Sequence, residues 1–280
     1  MPIQFSEIVA AKTQVSSKGF SVKAIDLHPL GERASPILVL DDFRVSSQPF
    51  GPHPHAGFSA VTYVFEDSPG ALRSRDSLGN DVVVGPGGIV WTQAGRGLLH
   101  QEVPADVSSE LHGLQLFVNA SAKNKFVPPK MLRLFSPEVP EWQNDAGDRV
   151  RVVVGTFNAL SSPLVPAEPF TFLDAILNRG ISFDLSPNYN ALIYVLAGYV
   201  NVASDNQRQI VQADHAIALS GGGGDVELRT DNSCHLVILS GREIREPVVS
   251  QGGFIMNDAT QMEIVLTRYR RGSMGALNPV

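Results

Sequence analysis

Four residues of this chain pair metal-binding side chains with a spacing that can aim them at one point. His53-Pro54-His55 sets two imidazoles at i and i+2, and His100-Gln101-Glu102, about 45 residues further on, sets an imidazole and a carboxylate at the same spacing. In an extended strand, i and i+2 share a face. If the two segments lie side by side in one barrel, His53, His55, His100 and Glu102 converge. Imidazole suits iron, copper, nickel and zinc, and a hard carboxylate oxygen moves the balance towards iron or manganese. Four protein ligands on an octahedral ion leave two positions for a chelating substrate, or for substrate and dioxygen. A closed structural zinc site leaves none. Histidine pairs at this spacing also occur on surfaces that bind nothing, and the residues alone leave both readings open. Pro54 fits either, because it lacks an N–H and favours an edge or irregular strand.

Short strand-like runs must position these residues. Ser35–Asp41, Ala60–Phe65, Asp81–Val84, Gly88–Thr92 and Leu114–Val118 are such runs, separated by turn signals such as Ser68-Pro69-Gly70, Leu78-Gly79-Asn80 and Gly85-Pro86-Gly87. A second series comprises Arg149–Val154, Ile181–Leu185, Leu192–Leu196, Asn201–Ala203, His215–Leu219, Val226–Arg229 and His235–Leu239. Short β-rich segments at this spacing predict a sandwich or barrel rather than βαβ units. The Pro-rich, polar stretch Val127–Gly147 separates the series, which places domains at 1–135 and 145–280. The halves share an order of turns and strands but little identity, so two barrels of one architecture are expected. One helix is predicted near the end, capped by Asn257 or Asp258, running to about Tyr269 and stopped by Gly272, with a packing role.

Composition narrows the function classes. The 280 residues carry a formal net charge of −6, which argues against a broadly basic nucleic-acid surface. The one basic cluster, Arg268-Tyr269-Arg270-Arg271, reads as a solvated helix end. With one cysteine, Cys234, no intramolecular disulfide can form, and its apolar setting predicts a buried, inert thiol. No signal-type apolar core opens the chain and no run reaches the roughly 18 apolar residues of a membrane span. A soluble, cytoplasmic monomer is the expectation.

Other residues have plainer expected roles. His112 is either a partner that orients a ligand or a satisfied core histidine. Trp91 and Phe58 either line a pocket or fill the core. Asp76 and Arg96 belong to tight turns. The glycines Gly221–Gly224 lack a following Lys-Ser/Thr and form a turn, not a phosphate loop. His215 and His235 have no partner at i+2, so no second metal site is expected in the second half.

The segment Pro52–Tyr63 (PHPHAGFSAVTY), the turn Arg75–Asn80, the block from Gly85-Pro86-Gly87 through Trp91–Pro104, and His112–Asn119 resemble the pirin family. Arg245–Val249 and Gly253–Asn257 resemble its C-terminal element. The resemblance covers nearly the whole chain and is strongest from Pro52 to Asn119. It implies an all-β fold of two cupin (jelly-roll type) β-barrel domains with a short C-terminal helix. It also implies a metal in the first barrel, usually iron, held by His53, His55, His100 and Glu102, and a metal-free second barrel. One divalent ion is therefore expected, Fe(II) first, with Mn, Ni, Co, Cu or Zn as alternatives. The chain departs from the family at Ser59-Ala60, where Glu-Thr is common, and at Ser74, where His often stands. Those changes bear on the pocket and substrate more than on the ligands.

The resemblance further implies a metal-dependent quercetin 2,3-dioxygenase acting on a small aromatic, flavonol-like substrate and O2. Lewis-acid polarisation would acidify the flavonol hydroxyl, and Glu102 would act as the catalytic base. Two other readings follow from the same family. One is an iron-dependent regulator that binds a transcription factor or metabolic enzyme, without direct contact with nucleic acid or membrane. The other is a degenerate cupin that keeps the fold and has lost activity.

Overall fold

The computed structural model describes residues 2–17 and 19–280. The predicted β-rich architecture is found, with strands that extend the sequence runs by a few residues at their ends. Five strands of the first half lie side by side, in the order Ile89–Gln93, Phe58–Val64, Leu111–Asn119, Ile37–Val45 and Phe20–Ile25. The second half repeats the arrangement with His215–Ser220, Tyr189–Ala197, Cys234–Arg242, Phe170–Leu177 and Arg149–Val154. The strand Val9–Ser17 pairs with Phe20–Ile25 on one side and, through Val9 and Ala10, with His215–Ser220 on the other, making one continuous sheet. A four-stranded sheet closes each barrel. His53–His55, Leu98–Pro104, Leu72–Asp76 and Asp81–Val84 close the first, and Gly180–Leu185, Gly224–Arg229, Tyr199–Ser204 and Gln207–Gln212 close the second.

The largest core lies between the barrels. Val61, Tyr63, Trp91, Leu116 and Val118 of one half pack there against Phe170, Phe172, Tyr194, Val237 and Leu239 of the other. Phe58–Val64 is consequently buried at every position. A strand covered on both faces is expected to be largely apolar, and here only Ser59 and Thr62 interrupt Phe, Ala, Val and Tyr. Each barrel also has its own interior. In the second, aliphatic side chains such as Val152, Leu173, Ile193, Val200 and Leu228 form the core.

The repeat extends to register. Leu114 faces Tyr63 on one neighbouring strand and Asp42 on the other, and Val237 faces Tyr194 and Asp174 in the same way. These side chains are exchanged across the interface. Tyr63 donates its hydroxyl to Asp174 (2.7 Å) and Tyr194 donates to Asp42 (3.1 Å). His112 meets Asp42 (3.0 Å) and His235 meets Asp174 (2.6 Å). His112 also contacts Asp67 and Arg44, so it is a satisfied core histidine.

The strand Lys130–Leu134, just before the 135–145 stretch, still pairs within the first half, and Glu141–Gln143, inside that stretch, already pairs with the second. We propose that 1–135 and 145–280 describe the bodies of the two barrels, with the chain ends crossing over. Gln4–Phe5 pairs with Leu219 and Ser220 of the second barrel, and Ile3 sits in that barrel's interior. The C-terminal helix, Ala259–Arg270, packs on the first barrel through Met262 and Val265. Asp258 caps it by accepting from the Gln261 amide (2.8 Å), and Gly272 follows its end with a positive φ of 69°. Among the described residues, no helix is long and apolar enough to cross a membrane.

The exchange has a pH signature. Burial opposes ionisation of Asp174, but bonds from His235 and Tyr63 and the Arg151 charge outweigh it and hold the carboxyl below its usual range. Burial likewise opposes the charge on His235, and Asp174 more than compensates, raising its pKa. A lowered carboxyl adds stability above about pH 3.9 that is lost as pH falls through its folded pKa; a raised imidazole adds stability below about pH 6.5 that is lost as pH rises through its own. The pair should stabilise most between about pH 4 and 6.5. Urea unfolding of His235→Gln should therefore show its largest deficit against the parent near pH 5–6, narrowing at higher pH. Tyr63→Phe should cost about 1–3 kcal/mol, because it leaves a buried carboxylate short of a donor.

Candidate metal centre

His53–His55 pairs antiparallel with Leu98–Pro104, and His100 lies directly opposite His53. The i, i+2 spacing therefore turns His53, His55 and His100 to one side of a two-strand ladder, inside the first barrel. Ring centroids are 4.8 Å apart for His53 and His55, and 4.6 Å from each to His100. One nitrogen from each ring falls within 4.8 Å of the others, an arrangement that can hold a metal ion.

The hydrogen bonds decide which nitrogens are available. His53 Nδ1 meets the Gly51 carbonyl (2.9 Å) and His55 Nδ1 meets the Gly253 carbonyl (3.3 Å). Both rings thus keep their proton on Nδ1 and present a bare Nε2. His100 Nε2 lies 3.1 Å from His53 Nε2. That separation is close to the edge of an octahedron with imidazole–metal bonds of roughly 2.1 Å. The buried Nδ1 of His100 has no hydrogen-bond partner. Burial, reinforced by the neighbouring histidines, pushes the pKa of His55 down to about 3 and that of His100 well below the usual imidazole range. Neutral imidazole is the form that binds metal, so the donor set fits a divalent cation.

Glu102 stands differently. It points to the same interior but is not one of the three clustered ligands. Its carboxylate accepts from Thr62 Oγ1 and from Ser74 Oγ (3.1 Å), the residue opposite it in the ladder. Burial raises its pKa, and the two hydroxyl donors hold part of that rise back. Ser74, where the family often carries histidine, thus acts as a hydrogen-bond donor to this carboxylate. Sequence reading missed Thr62, and it placed Ser74 at the pocket without its bond to Glu102, since nothing local marks either as facing that carboxylate.

The imidazoles lie at one end of a cavity of about 640 Å³. Its walls are mainly apolar, with Phe20, Phe43, Val45, Phe50, Leu111 and Phe117, and Asp41, Glu102 and Gln115 supply the polar points. Burial pushes the Asp41 carboxyl up to about 6. Apolar walls with a few polar groups are what small-molecule sites usually show. Phe58 and Trp91 are core residues. Phe58 packs on the His55 ring (4.9 Å), and Trp91 lies in the inter-barrel core against Phe170. Asp76 organises its turn by accepting from the Leu78 and Asn80 amides.

Two β-barrels of one topology, the first with three imidazoles converging on its cavity, define a protein of the double-barrelled cupin class with a site able to hold a metal ion. The chain belongs to the pirin family. The pirin family profile matches residues 20–118, and that of the pirin C-terminal cupin domain matches residues 172–275. A protein of Pseudomonas aeruginosa provisionally named a quercetin 2,3-dioxygenase is 33% identical over 257 residues, 87% of this chain and 88% of its own length. Pirin of Homo sapiens is 30% identical over 272 residues, 95% of this chain and 92% of its own. A crystal structure of quercetin 2,3-dioxygenase from Acinetobacter baumannii superposes with a TM-score of 0.84 at 24% identity, covering 99% of both chains. The bacterial pirin of Escherichia coli, solved with nickel(II), gives a TM-score of 0.65 at 18% identity, covering 86% of this chain and 100% of that one.

Replacing His53 and His100 together by alanine should abolish metal retention. Each single change should weaken binding beyond the roughly 10–100-fold typical of losing a group outside the ligand set. Metal content after dialysis, by mass spectrometry, with circular dichroism as a check on folding, reads the outcome. Retention of a full equivalent by the double variant would place the ion elsewhere.

Proposed function

We propose that the chain is a metal-dependent dioxygenase cleaving quercetin-like flavonols, with His53, His55, His100 and Glu102 as ligands of one divalent ion and Fe(II) as the first candidate. The observation that carries the reading is the set of three inward-facing imidazoles, with a half-buried carboxylate, lining an apolar cavity of flavonol size. Relatives named for quercetin cleavage support it. When bound, the ion would supply Lewis acidity at a chelating hydroxyl–carbonyl pair.

This chain's own residues supply the rest. Phe20, Phe50 and Phe117 offer flat apolar surface to a polycyclic ligand and keep water from the imidazole end. Asp41 and Gln115 stand on the wall where ring hydroxyls of the ligand would need partners. Glu102 takes the proton of the flavonol hydroxyl. A buried carboxylate is a stronger base than an exposed one, and Thr62 and Ser74 keep it aimed. The overall reaction balances without a reductant: both atoms of dioxygen enter the products, and one ring carbon leaves as carbon monoxide.

The test is oxygen consumption by anaerobically Fe(II)-loaded protein given quercetin, with carbon monoxide followed in parallel. Turnover should disappear in the His53→Ala/His100→Ala variant, and Glu102→Gln should lower kcat by roughly 10²–10⁴-fold, the usual worth of a general base. Bound iron without turnover would sink the enzyme reading and direct attention to a protein partner.

A further inference from the structure

The C-terminal segment, nearly 200 residues from the histidines in sequence, lies against them in space. Val249–Gln251 and Phe254–Met256 form a small hairpin, and Phe254 runs parallel to Ala56, between His55 and Gly57. The Ala56 amide donates to the Gly253 carbonyl (3.2 Å), and the Ile255 amide donates to the Ala56 carbonyl (3.0 Å). The same Gly253 oxygen meets His55 Nδ1. A carbonyl has two lone pairs, so it can accept from both.

The approach is close enough to require glycine on both sides. A Cβ on Gly253 would fall 2.0 Å from the Pro54 carbonyl oxygen, and one on Gly57 would fall 2.0 Å from the Ile255 carbonyl oxygen. Behind this contact lies Lys125, with none of its surface exposed. Its ammonium donates to the Gly57 carbonyl (2.8 Å), Asn119 Oδ1 (2.6 Å) and the Ile255 carbonyl (3.0 Å). Three N–H donors thus meet three neutral oxygens, one from the segment after His55, one from the end of the Leu111–Asn119 strand and one from the C-terminal segment. Buried lysine is rare, and no carboxylate is among its three direct partners, so the cation is retained at a desolvation cost that those oxygens must offset.

We propose that Lys125 is a positioning residue of the metal centre: it pins the C-terminal segment so that the Gly253 carbonyl holds the Nδ1 proton of His55 and turns Nε2 towards the ion. The proposal rests on His55 being a metal ligand. The centre then draws on both halves of the chain, and the first barrel alone would carry His55 without its orienting bond.

Nitrogen-15 NMR of the imidazoles in the full-length, metal-free protein reads the tautomer directly. The His55 proton is expected on Nδ1; a proton on Nε2 overturns the proposal, whatever any variant does. Ni(II) titration then compares the parent with Lys125→Met, which keeps much of the side-chain bulk and removes the ammonium, and with the milder Asn119→Ala. Lys125→Met should weaken Ni(II) binding about 10–100-fold and mix the His55 tautomers, while His53 keeps its own. Asn119→Ala should do the same to a smaller degree, which keeps the test decisive if Lys125→Met fails to fold. A folded Lys125→Met protein with unchanged tautomer and Ni(II) affinity within twofold of the parent refutes the positioning role. If the parent itself binds no Ni(II), the ligand reading fails separately, and the tautomer still decides what Gly253 does.

Discussion

Two phenol–carboxylate hydrogen bonds, each crossing from one barrel to the other, are the constraint on which this architecture turns. Tyr63 reaches Asp174 and Tyr194 reaches Asp42, all four side chains being buried. A carboxylate removed from water is tolerated only if donors replace the water. Neither barrel supplies the phenol its own carboxylate needs, so each is complete only when docked on the other. The large shared core and the strand buried on both faces are the apolar side of the same arrangement. The site depends on this interface through adjacent residues. Tyr63 anchors its strand to the second barrel, and Thr62, facing the opposite way, donates to Glu102.

The symmetry of that interface makes the asymmetry of the interiors informative. His53 faces His100 across the ladder of the first barrel, and at the corresponding rungs of the second barrel Asp184 faces Asp225. The strands on both sides keep their register, so the change lies in side chains alone. In the first barrel, imidazoles can share a cation without opposing each other's charge. In the second, two carboxylates stand directly opposite and line a smaller cavity of about 440 Å³, with aliphatic side chains packed around it. One scaffold thus carries an imidazole-lined cavity in one barrel and a smaller, carboxylate-lined one in the other.

What could be read from sequence follows the range of the physics involved. Strand alternation and the i, i+2 spacing act over a few residues and aim each pair at one face; that the two pairs meet depends on the ladder that sets His53 opposite His100. The Asp258 cap and the Gly272 stop are equally local, and the helix was legible from them. Glu102 was legible as a donor facing inward, but not its engagement with Thr62, 40 residues away, and Ser74, 28 residues away. The Tyr–Asp exchange spans 111 and 152 residues, and the Lys125 contact to Ile255 spans 130. Isolated tyrosines, aspartates and lysines carry no pattern that announces such partners. Trp91 beside the glycine-rich Gln93–Gly97 block could have lined a pocket or filled a core, and only the packing of the second barrel against it decides for the core.

The electrostatics of the first barrel give Glu102 a part of its own beside the three imidazoles. Burial keeps His55 and His100 uncharged over the physiological range, so their lone pairs do not compete with protons. The same low-polarity surroundings would penalise a bare dication, whose charge the neutral imidazoles cannot cancel. Of the cavity's two carboxyl groups, Asp41 has its pKa lifted towards neutrality and Glu102 is held by two hydroxyl donors. Those donors favour the ionised form of Glu102 against the burial that opposes it. Thr62 and Ser74 therefore help keep a negative charge ready beside three neutral nitrogens, which lowers the cost of admitting a cation. The same carboxylate, costly to keep ionised, is also one that gains by accepting a proton.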